Sequence, residues 1–155
     1  MPTAVHKKTM ACHTLIALHL LLGIGAVFGG GLLMLAPDGS LLSMPLSLLQ
    51  YSTFRSYLIP GMILFLALGC YPLLVAVFLI IEKPLPAAEW FNLYKDTHWA
   101  WIHSFYVGFI LIVWLTIEMY ILQAIVLAHV IYIFLALAIQ AVTLLPSVKG
   151  HYTHV

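Results

Sequence analysis

The sequence predicts an all-α membrane protein in which four helices cross the bilayer, with a short amphipathic interfacial segment between the first two. Hydrophobic residues make up 64% of the 155 residues and charged residues only 7%. A soluble domain carries roughly 25% charged residues because its surface must face water. The mean hydropathy is +1.10, and the apolar residues fall into runs near the roughly 20 residues that a helix needs to cross a bilayer. We therefore expect residues 1–155 to form one transmembrane domain.

The first apolar run covers residues 13–36 and contains no formally charged residue. The sequence PDGS at residues 37–40 then ends it with residues typical of turns. Lys7 and Lys8 precede the run, so a cleaved signal peptide is the alternative to a retained helix. We favour a retained membrane span because the run is long for a signal peptide and no A-x-A-like cleavage site follows it.

The second apolar run covers residues 57–81 and contains two prolines. Pro60 falls in the first helical turn, where the missing proline N–H costs no intrahelical hydrogen bond. Pro72 lies well inside the run, so we expect it to kink the helix beside Gly69. The run therefore predicts one membrane span with a kink in its interior.

The last apolar stretch, residues 99–145, is too long for one span. As a single helix rising 1.5 Å per residue it would be roughly 70 Å long, more than twice the thickness of the hydrocarbon core. It must therefore fold back, and we place the turn near Leu122 and Gln123. This division predicts two spans, at about residues 99–121 and 125–145.

Residues 41–54 are too apolar for a free loop and too short to cross the bilayer. Leucines alternate with serine and glutamine along this segment, a pattern that favours a short amphipathic helix lying on the outer face of the membrane. A lid over the helix bundle is the interpretation that we favour, because amphipathicity by itself indicates only burial. A gate or a docking surface is the functional alternative.

The basic residues predict how the chain is oriented in the membrane. In a four-span arrangement five lysines fall on one side and Arg55 falls alone on the other. Because cytoplasmic loops carry the excess of Lys and Arg, we expect both termini and the loop 82–98 in the cytoplasm. The five lysines are Lys7, Lys8, Lys83, Lys95 and Lys149.

Glu118 is the most informative single residue, because a carboxylate inside a span is costly and usually faces the bundle interior with a partner. His129 lies about as far after the proposed turn as Glu118 lies before it, so both side chains are expected at one depth on adjacent helices. Tyr132 follows His129 at i+3 on the same helix face. This candidate polar cluster would either fix the register of the two helices or bind a proton, a cation or another ligand.

Two further histidines, His19 and His103, are expected at similar depths on different helices near the cytoplasmic side. Such a pair can ligate haem axially in a helix bundle. The chain has no CxxCH sequence, so ordinary interfacial histidines are the interpretation that we favour. We accordingly expect no cofactor and no metal site, with haem as the alternative.

Gly25 and Gly29 form a GxxxG sequence in the first span. Small residues at this spacing let helix backbones approach each other closely in lipid. We favour helix packing within one chain, since a four-span bundle already offers partner helices. Homodimerisation through the same glycines is the alternative.

No combination of residues predicts catalysis, because the serines have no His and Asp arranged as a triad. The net charge of +1 is too small to attract nucleic acid. We therefore expect a non-enzymatic accessory or scaffold protein whose partners are the lipid bilayer and either a membrane protein or further copies of itself. A small transporter or ion-coupled binding protein that uses Glu118 and His129 is the first alternative. A redox protein that binds haem or quinone is the second.

Four short sequences carry a resemblance to a known group of proteins. They are GSLL at residues 39–42, MPLSLL at 44–49, LIPG at 58–61 and LLPSV at 144–148. In these segments the chain resembles uncharacterised small four-span proteins of the bacterial inner membrane, and the resemblance covers most of the chain after the first span. It implies the same architecture and a bacterial plasma membrane, and it implies no catalytic residue.

Overall fold

The structure is a computed structural model that describes residues 7–153, and four of its helices are long and apolar enough to cross a membrane. The predicted all-α, four-span fold is confirmed. The largest difference from the predicted ends is at the start of the first helix, which begins at Met10 rather than at residue 13. The four helices are α1 (Met10–Leu35), α2 (Leu58–Ile81), α3 (Trp99–Leu122) and α4 (Leu127–Leu144).

Successive helices run antiparallel, so the loops gather at two ends of the bundle. We call one end the base; it contains the start of α1, the loop 82–98 and the segment that follows α4. The other end is the top, and it contains the segment 36–57 and the turn 123–126. The turn lies where the length argument placed it, because α3 ends at Leu122 and Gln123 adopts a left-handed conformation with φ 51°.

The interior of α2 is wound more loosely than an α-helix. Residues Leu64–Cys70 form a π-helical segment, in which the Tyr71 N–H donates to the Leu66 carbonyl five residues earlier. This segment directly precedes Pro72, whose ring would clash with the carbonyl four residues before it in a regular α-helix. The proline is therefore accommodated by a change of winding within one continuous helix.

Glycines hold α1 and α2 together at very short backbone distances. A Cβ atom placed on Gly30 would lie 2.7 Å from the Gly61 carbonyl oxygen and 2.7 Å from the Phe65 amide nitrogen. A Cβ atom on Gly23, two turns closer to the base, would lie 2.6 Å from the Leu73 side chain. Only glycine permits this approach, so α1 and α2 form one tightly packed pair.

The helices α3 and α4 form a second tightly packed pair. A Cβ atom on Gly108 would lie 2.5 Å from the Gln140 side chain and 3.1 Å from the Ala136 carbonyl oxygen. Near the base, the two pairs meet in the main core, where Phe78 of α2 packs against Trp99 of α3 with ring centroids 5.0 Å apart. The pairs are therefore closed against each other at the base.

The predicted single amphipathic helix within residues 41–54 is wrong in its form. The segment contains two short 3₁₀ turns, Ser40–Leu42 and Leu46–Leu49, separated by Pro45, which has no N–H to donate to a continuing helix. Leu49 is the one buried leucine of the segment and packs with Tyr57 and other residues in a small cluster at the top. The segment covers the top of the bundle as an irregular strap.

Two short helices complete the base, Pro86–Glu89 in the loop and Pro146–Tyr152 after α4. The Tyr152 hydroxyl donates to the Leu79 carbonyl at 2.9 Å, which fixes the last helix against the end of α2. The loop also carries a strongly exposed aromatic residue, Trp90, with 88% of its surface accessible. The base thus combines a closed interior with an exposed aromatic side chain on its loop.

Candidate functional site

The most prominent internal feature is a cavity of about 400 Å³ between the α1–α2 pair and the α3–α4 pair, in the top half of the bundle. Its walls are largely leucine, alanine and glycine, and two π-helical residues, Leu64 and Leu68, belong to them. Met44 and Leu48 of the strap also line it. The volume lies within the roughly 300–1,000 Å³ typical of small-molecule pockets, and such pockets are mostly apolar.

The polar part of the cavity wall consists of the three residues of the predicted polar cluster, Glu118, His129 and Tyr132. Glu118 lies one turn before the end of α3, and His129 lies two residues after the start of α4. The Glu118 Oε2 atom is 4.0 Å from His129 Nε2, and the two side chains are 29% and 5% exposed. The structure therefore brings the carboxyl and imidazole groups together at one depth.

A backbone hydrogen bond determines which nitrogen of His129 carries the proton. The Val126 N–H donates to His129 Nδ1 at 3.2 Å, so Nδ1 is an acceptor without a hydrogen. In the neutral imidazole the hydrogen must then be on Nε2, the nitrogen nearer to Glu118. At 4.0 Å the two atoms are too far apart for a direct hydrogen bond.

Trp114 is a site residue that the sequence argument did not identify. It lies one helical turn before Glu118, lines the cavity and interacts with the Glu118 carboxyl group. Its position at i−4 from Glu118 on an α-helix was the signal that could have indicated it, since such residues share a face. A second cavity of about 40 Å³ reaches Glu118 from the top, where Tyr57 also lines it.

The GxxxG residues line the cavity and do not form the closest contacts between α1 and α2. A Cβ atom on Gly25 would have the Tyr132 hydroxyl oxygen as its nearest neighbour, at 3.5 Å, and one on Gly29 would have Leu64 Cδ2, at 3.7 Å. Both distances are ordinary contacts. The close helix packing in α1 instead uses Gly23 and Gly30, and the residues of the predicted motif make room for the cavity.

His19 and His103 lie in the half of the bundle nearer the base and have different surroundings. His103 accepts from the Tyr71 hydroxyl at Nδ1, at 2.8 Å, and donates from Nε2 to the Ala88 carbonyl, at 3.1 Å. His19 is fully buried and its Nδ1 bonds to the Leu15 carbonyl at 2.9 Å. Axial haem ligation by His103 would therefore require one of two existing hydrogen bonds to break.

An ion-pair cluster at the base connects three parts of the chain. The Glu82 carboxylate, directly after α2, pairs with the Lys8 ammonium before α1 and with His151 Nε2 of the last helix, the latter at 3.0 Å. Burial raises the pKa of the Glu82 carboxyl, but the hydrogen bonds and charges of Lys8 and His151 outweigh it, and the net pKa lies below the ordinary 4.5. The cluster thus holds the two chain ends to α2.

Comparison with models of known protein families, with curated proteins and with solved structures finds no match to this chain. The site must therefore be interpreted from its own chemistry. Within residues 7–153, no group of three or more His, Cys, Asp and Glu side chains could hold a metal ion. The arrangement at the top, an apolar cavity with a carboxyl, an imidazole and a phenol on one wall, is suited to holding a small amphipathic molecule.

Proposed function

We propose that this chain is a membrane-embedded binding protein whose top-half cavity takes a small, largely apolar molecule with one polar group. The observation that carries the proposal is the cavity itself, at about 400 Å³ and lined by Glu118, His129 and Tyr132 on one wall. An intramembrane carboxyl is costly without a partner, and the Glu118 carboxyl opens onto this apolar space beside Trp114 and, at 4.0 Å, His129 Nε2. A ligand with a polar head would complete this site.

The π-helical segment of α2 supports the same proposal. Leu64 and Leu68 of that segment line the cavity. Such segments are rare and occur frequently at functional sites. The loose winding lets α2 pack closely on α1 while it contributes to the wall of an open space beside α3.

The experiment uses a cavity-filling variant and a neutral probe. Binding of radiolabelled triphenylphosphine oxide to the protein in nanodiscs is measured against empty nanodiscs. Gly25→Leu projects a side chain into the cavity from a position with only an ordinary contact at 3.5 Å, so the expected result is saturable binding by wild type that this variant weakens at least about tenfold. Ile24→Leu is the matched control, since Ile24 is 61% exposed on the lipid side of the same helix.

Equal binding by wild type and Gly25→Leu would contradict the proposal, as would the absence of saturable binding. The melting temperature of each variant in detergent shows whether the fold is retained. If Gly25→Leu keeps the melting temperature of the wild type but no longer binds the probe, the loss of binding is due to the filled cavity.

We further propose that the base faces the cytoplasm of a bacterium and that the chain lies in its plasma membrane. The five lysines of the orientation argument all lie at the base, whereas Arg55 lies at the top. An excess of basic residues marks the cytoplasmic side. A reporter protein that is active only in the cytoplasm should be active when it is fused to either end of the chain. If the two ends instead lie on opposite sides of the membrane, both the orientation and the number of spans are contradicted.

An accessory or scaffold role is a second proposal, supported by the exposed loop at the base. Trp90, Phe91 and Leu93 are 88%, 66% and 75% exposed, although large apolar side chains usually find a partner or a lipid interface. A photo-crosslinking amino acid at position 90 should attach to another protein, whereas one at the lipid-facing position 134 should attach only to lipid. Lipid adducts alone at position 90 would contradict this role.

A further inference from the structure

The charge balance of the cavity indicates which kind of polar group its ligand carries. Among the described residues that line it, Glu118 is the one carboxyl group and no Lys or Arg is present. An ionised carboxylate in such surroundings loses hydration that it has in water and has no cationic side chain beside it in exchange, which is costly in an apolar medium. The site is therefore electrically neutral only when Glu118 binds a proton or a cation.

His129 is not available to supply that positive charge in the observed arrangement. Its Nδ1 atom already accepts from the Val126 N–H at 3.2 Å. A second proton on the ring would occupy Nδ1 and place two N–H groups against each other. In this arrangement His129 faces Glu118 with the Nε2–H group, and an imidazolium would require the hydrogen bond from the Val126 N–H to break.

Aromatic rings at the same wall favour an organic cation over an inorganic one. Trp114 and Tyr132 both line the cavity, and Trp114 interacts with the Glu118 carboxyl group. The faces of aromatic rings attract cations, particularly ammonium groups with apolar substituents. The remaining walls are apolar, so they suit the hydrocarbon part of such a molecule rather than the water shell of a metal ion.

We infer that the ligand of this cavity is a lipophilic organic cation, whose charged group lies beside the Glu118 carboxylate in place of a proton. This inference rests on the proposed function of the cavity and adds the ligand class and its competition with protons. The other titratable groups that face Glu118 are His129 and Tyr132 of α4 and Tyr57 near the strap. The two tyrosines offer phenolic hydroxyl groups as donors or acceptors, so Glu118 is the group whose charge the ligand meets.

The test compares two probes of similar shape that differ in charge. Tetraphenylphosphonium is permanently cationic and triphenylphosphine oxide is neutral, and both are measured in nanodiscs of phosphatidylcholine, which has no net charge. The expected result is that Glu118→Gln weakens tetraphenylphosphonium binding at least about tenfold and changes triphenylphosphine oxide binding less than about twofold. Because neither probe titrates, cation binding by wild type should also fall as the pH is lowered, and this pH dependence should be absent in Glu118→Gln.

Two further variants make the outcome decisive. Glu118→Asp retains the carboxylate and should still bind tetraphenylphosphonium in preference to triphenylphosphine oxide. That result would show that Glu118→Gln loses cation binding because it loses the charge, and not because it fails to fold. Thr116→Val is the control, since Thr116 is exposed on the same helix and bonds only to its own helix, at Ile112.

The possible failures are distinguishable. If Glu118→Gln leaves binding of both probes unchanged while Gly25→Leu abolishes it, the cavity binds ligands but the cation inference is overturned. If triphenylphosphine oxide does not bind saturably, or if Gly25→Leu does not weaken its binding, the proposed function itself fails. A pH dependence that persists in Glu118→Gln would also overturn the inference, because another group would then be responsible.

Discussion

Two adjacent glycines of α1 provide a sharp test of the helix packing. Gly29→Ala adds a methyl group whose nearest neighbour, Leu64 Cδ2, is 3.7 Å away, whereas the methyl group of Gly30→Ala would lie 2.7 Å from the Gly61 carbonyl oxygen and from the Phe65 amide nitrogen. The second pair of distances is about 0.7 Å short of an ordinary 3.4 Å contact. Because both neighbours are backbone atoms, rotation of a side chain cannot relieve the overlap. The helices must separate, and a gap of 0.5–1 Å removes a quarter to a half of each dispersion contact.

The expected effects on the free energy of unfolding are opposite in sign. Overpacking of this kind costs about 1–3 kcal/mol, and replacement of a helical glycine by alanine gains up to about 1 kcal/mol. With the full glycine-to-alanine gain included, Gly30→Ala should therefore lower the stability by up to about 2 kcal/mol, and Gly29→Ala should leave it unchanged or raise it by up to about 1 kcal/mol. Thermal and denaturant unfolding in the same detergent measure the difference.

Gly61→Ala extends the test across the interface. Its added Cβ would lie 2.8 Å from Leu33 Cβ and 3.1 Å from the Gly30 carbonyl oxygen, so it forces the same two helices apart. The double variant Gly30→Ala/Gly61→Ala should then lose less stability than the sum of the single losses, since one separation relieves both overlaps. Equal stability of Gly29→Ala and Gly30→Ala would refute the close α1–α2 packing.

Two further predictions concern the half of the bundle nearer the base. Because Lys8 and His151 together hold the pKa of Glu82 below 4.5, the stability that these partners provide is present at neutral pH and is lost as the pH falls through the lowered pKa. The melting temperature of Glu82→Gln should therefore lie below that of wild type at pH 7. Below the pKa of Glu82 the two melting temperatures should coincide, and a difference that remains at that low pH would contradict the stabilising role of the ion pair. Tyr71→Phe removes the donor to His103 Nδ1 and should cost about 1–3 kcal/mol of unfolding free energy, because a buried acceptor loses its partner; an unchanged melting curve would argue against that bond.

The four spans could be predicted because lipid imposes one simple rule on the sequence. Each helix must present about 20 apolar residues to cross the core, and the length of residues 99–145 required a turn near Gln123. The depth of Glu118 and His129 followed from the same turn, since equal distances from a hairpin place two residues at one level. These conclusions need only the rise per residue and the location of the turn.

The details that the sequence did not predict depend on how each helix is rotated about its axis and how tightly its backbone is wound. Amino-acid composition does not determine either property. The GxxxG motif indicated Gly25 and Gly29, but the helix face that contacts α2 carries Gly23 and Gly30. Neighbouring positions differ by about 100° around a helix, so several adjacent glycines leave the contact face undetermined. The sequence pattern gives no indication of the cavity, because the cavity is the space left between two helix pairs.

The form of the strap was missed for a related reason. Pro45 divides the strap into two 3₁₀ turns, although the alternation of leucine and serine suited a helix. Near Pro72 a kink was expected, and the structure adds a π-helical segment over Leu64–Cys70 that the sequence did not indicate. Both a kink and a change of winding are known responses to an internal proline.

The cavity and its ability to hold a ligand are tested most directly by photolabelling followed by peptide mapping. A neutral diazirine probe in nanodiscs should attach to cavity-lining residues such as Leu111 and Tyr132, and excess triphenylphosphine oxide should displace this labelling. Labelling of the lipid-facing residues Phe28 and Phe134 should remain, because bulk lipid is not saturated by the competitor. Labelling confined to the lipid-facing residues, or labelling of Leu111 and Tyr132 that the competitor does not reduce, would contradict the account.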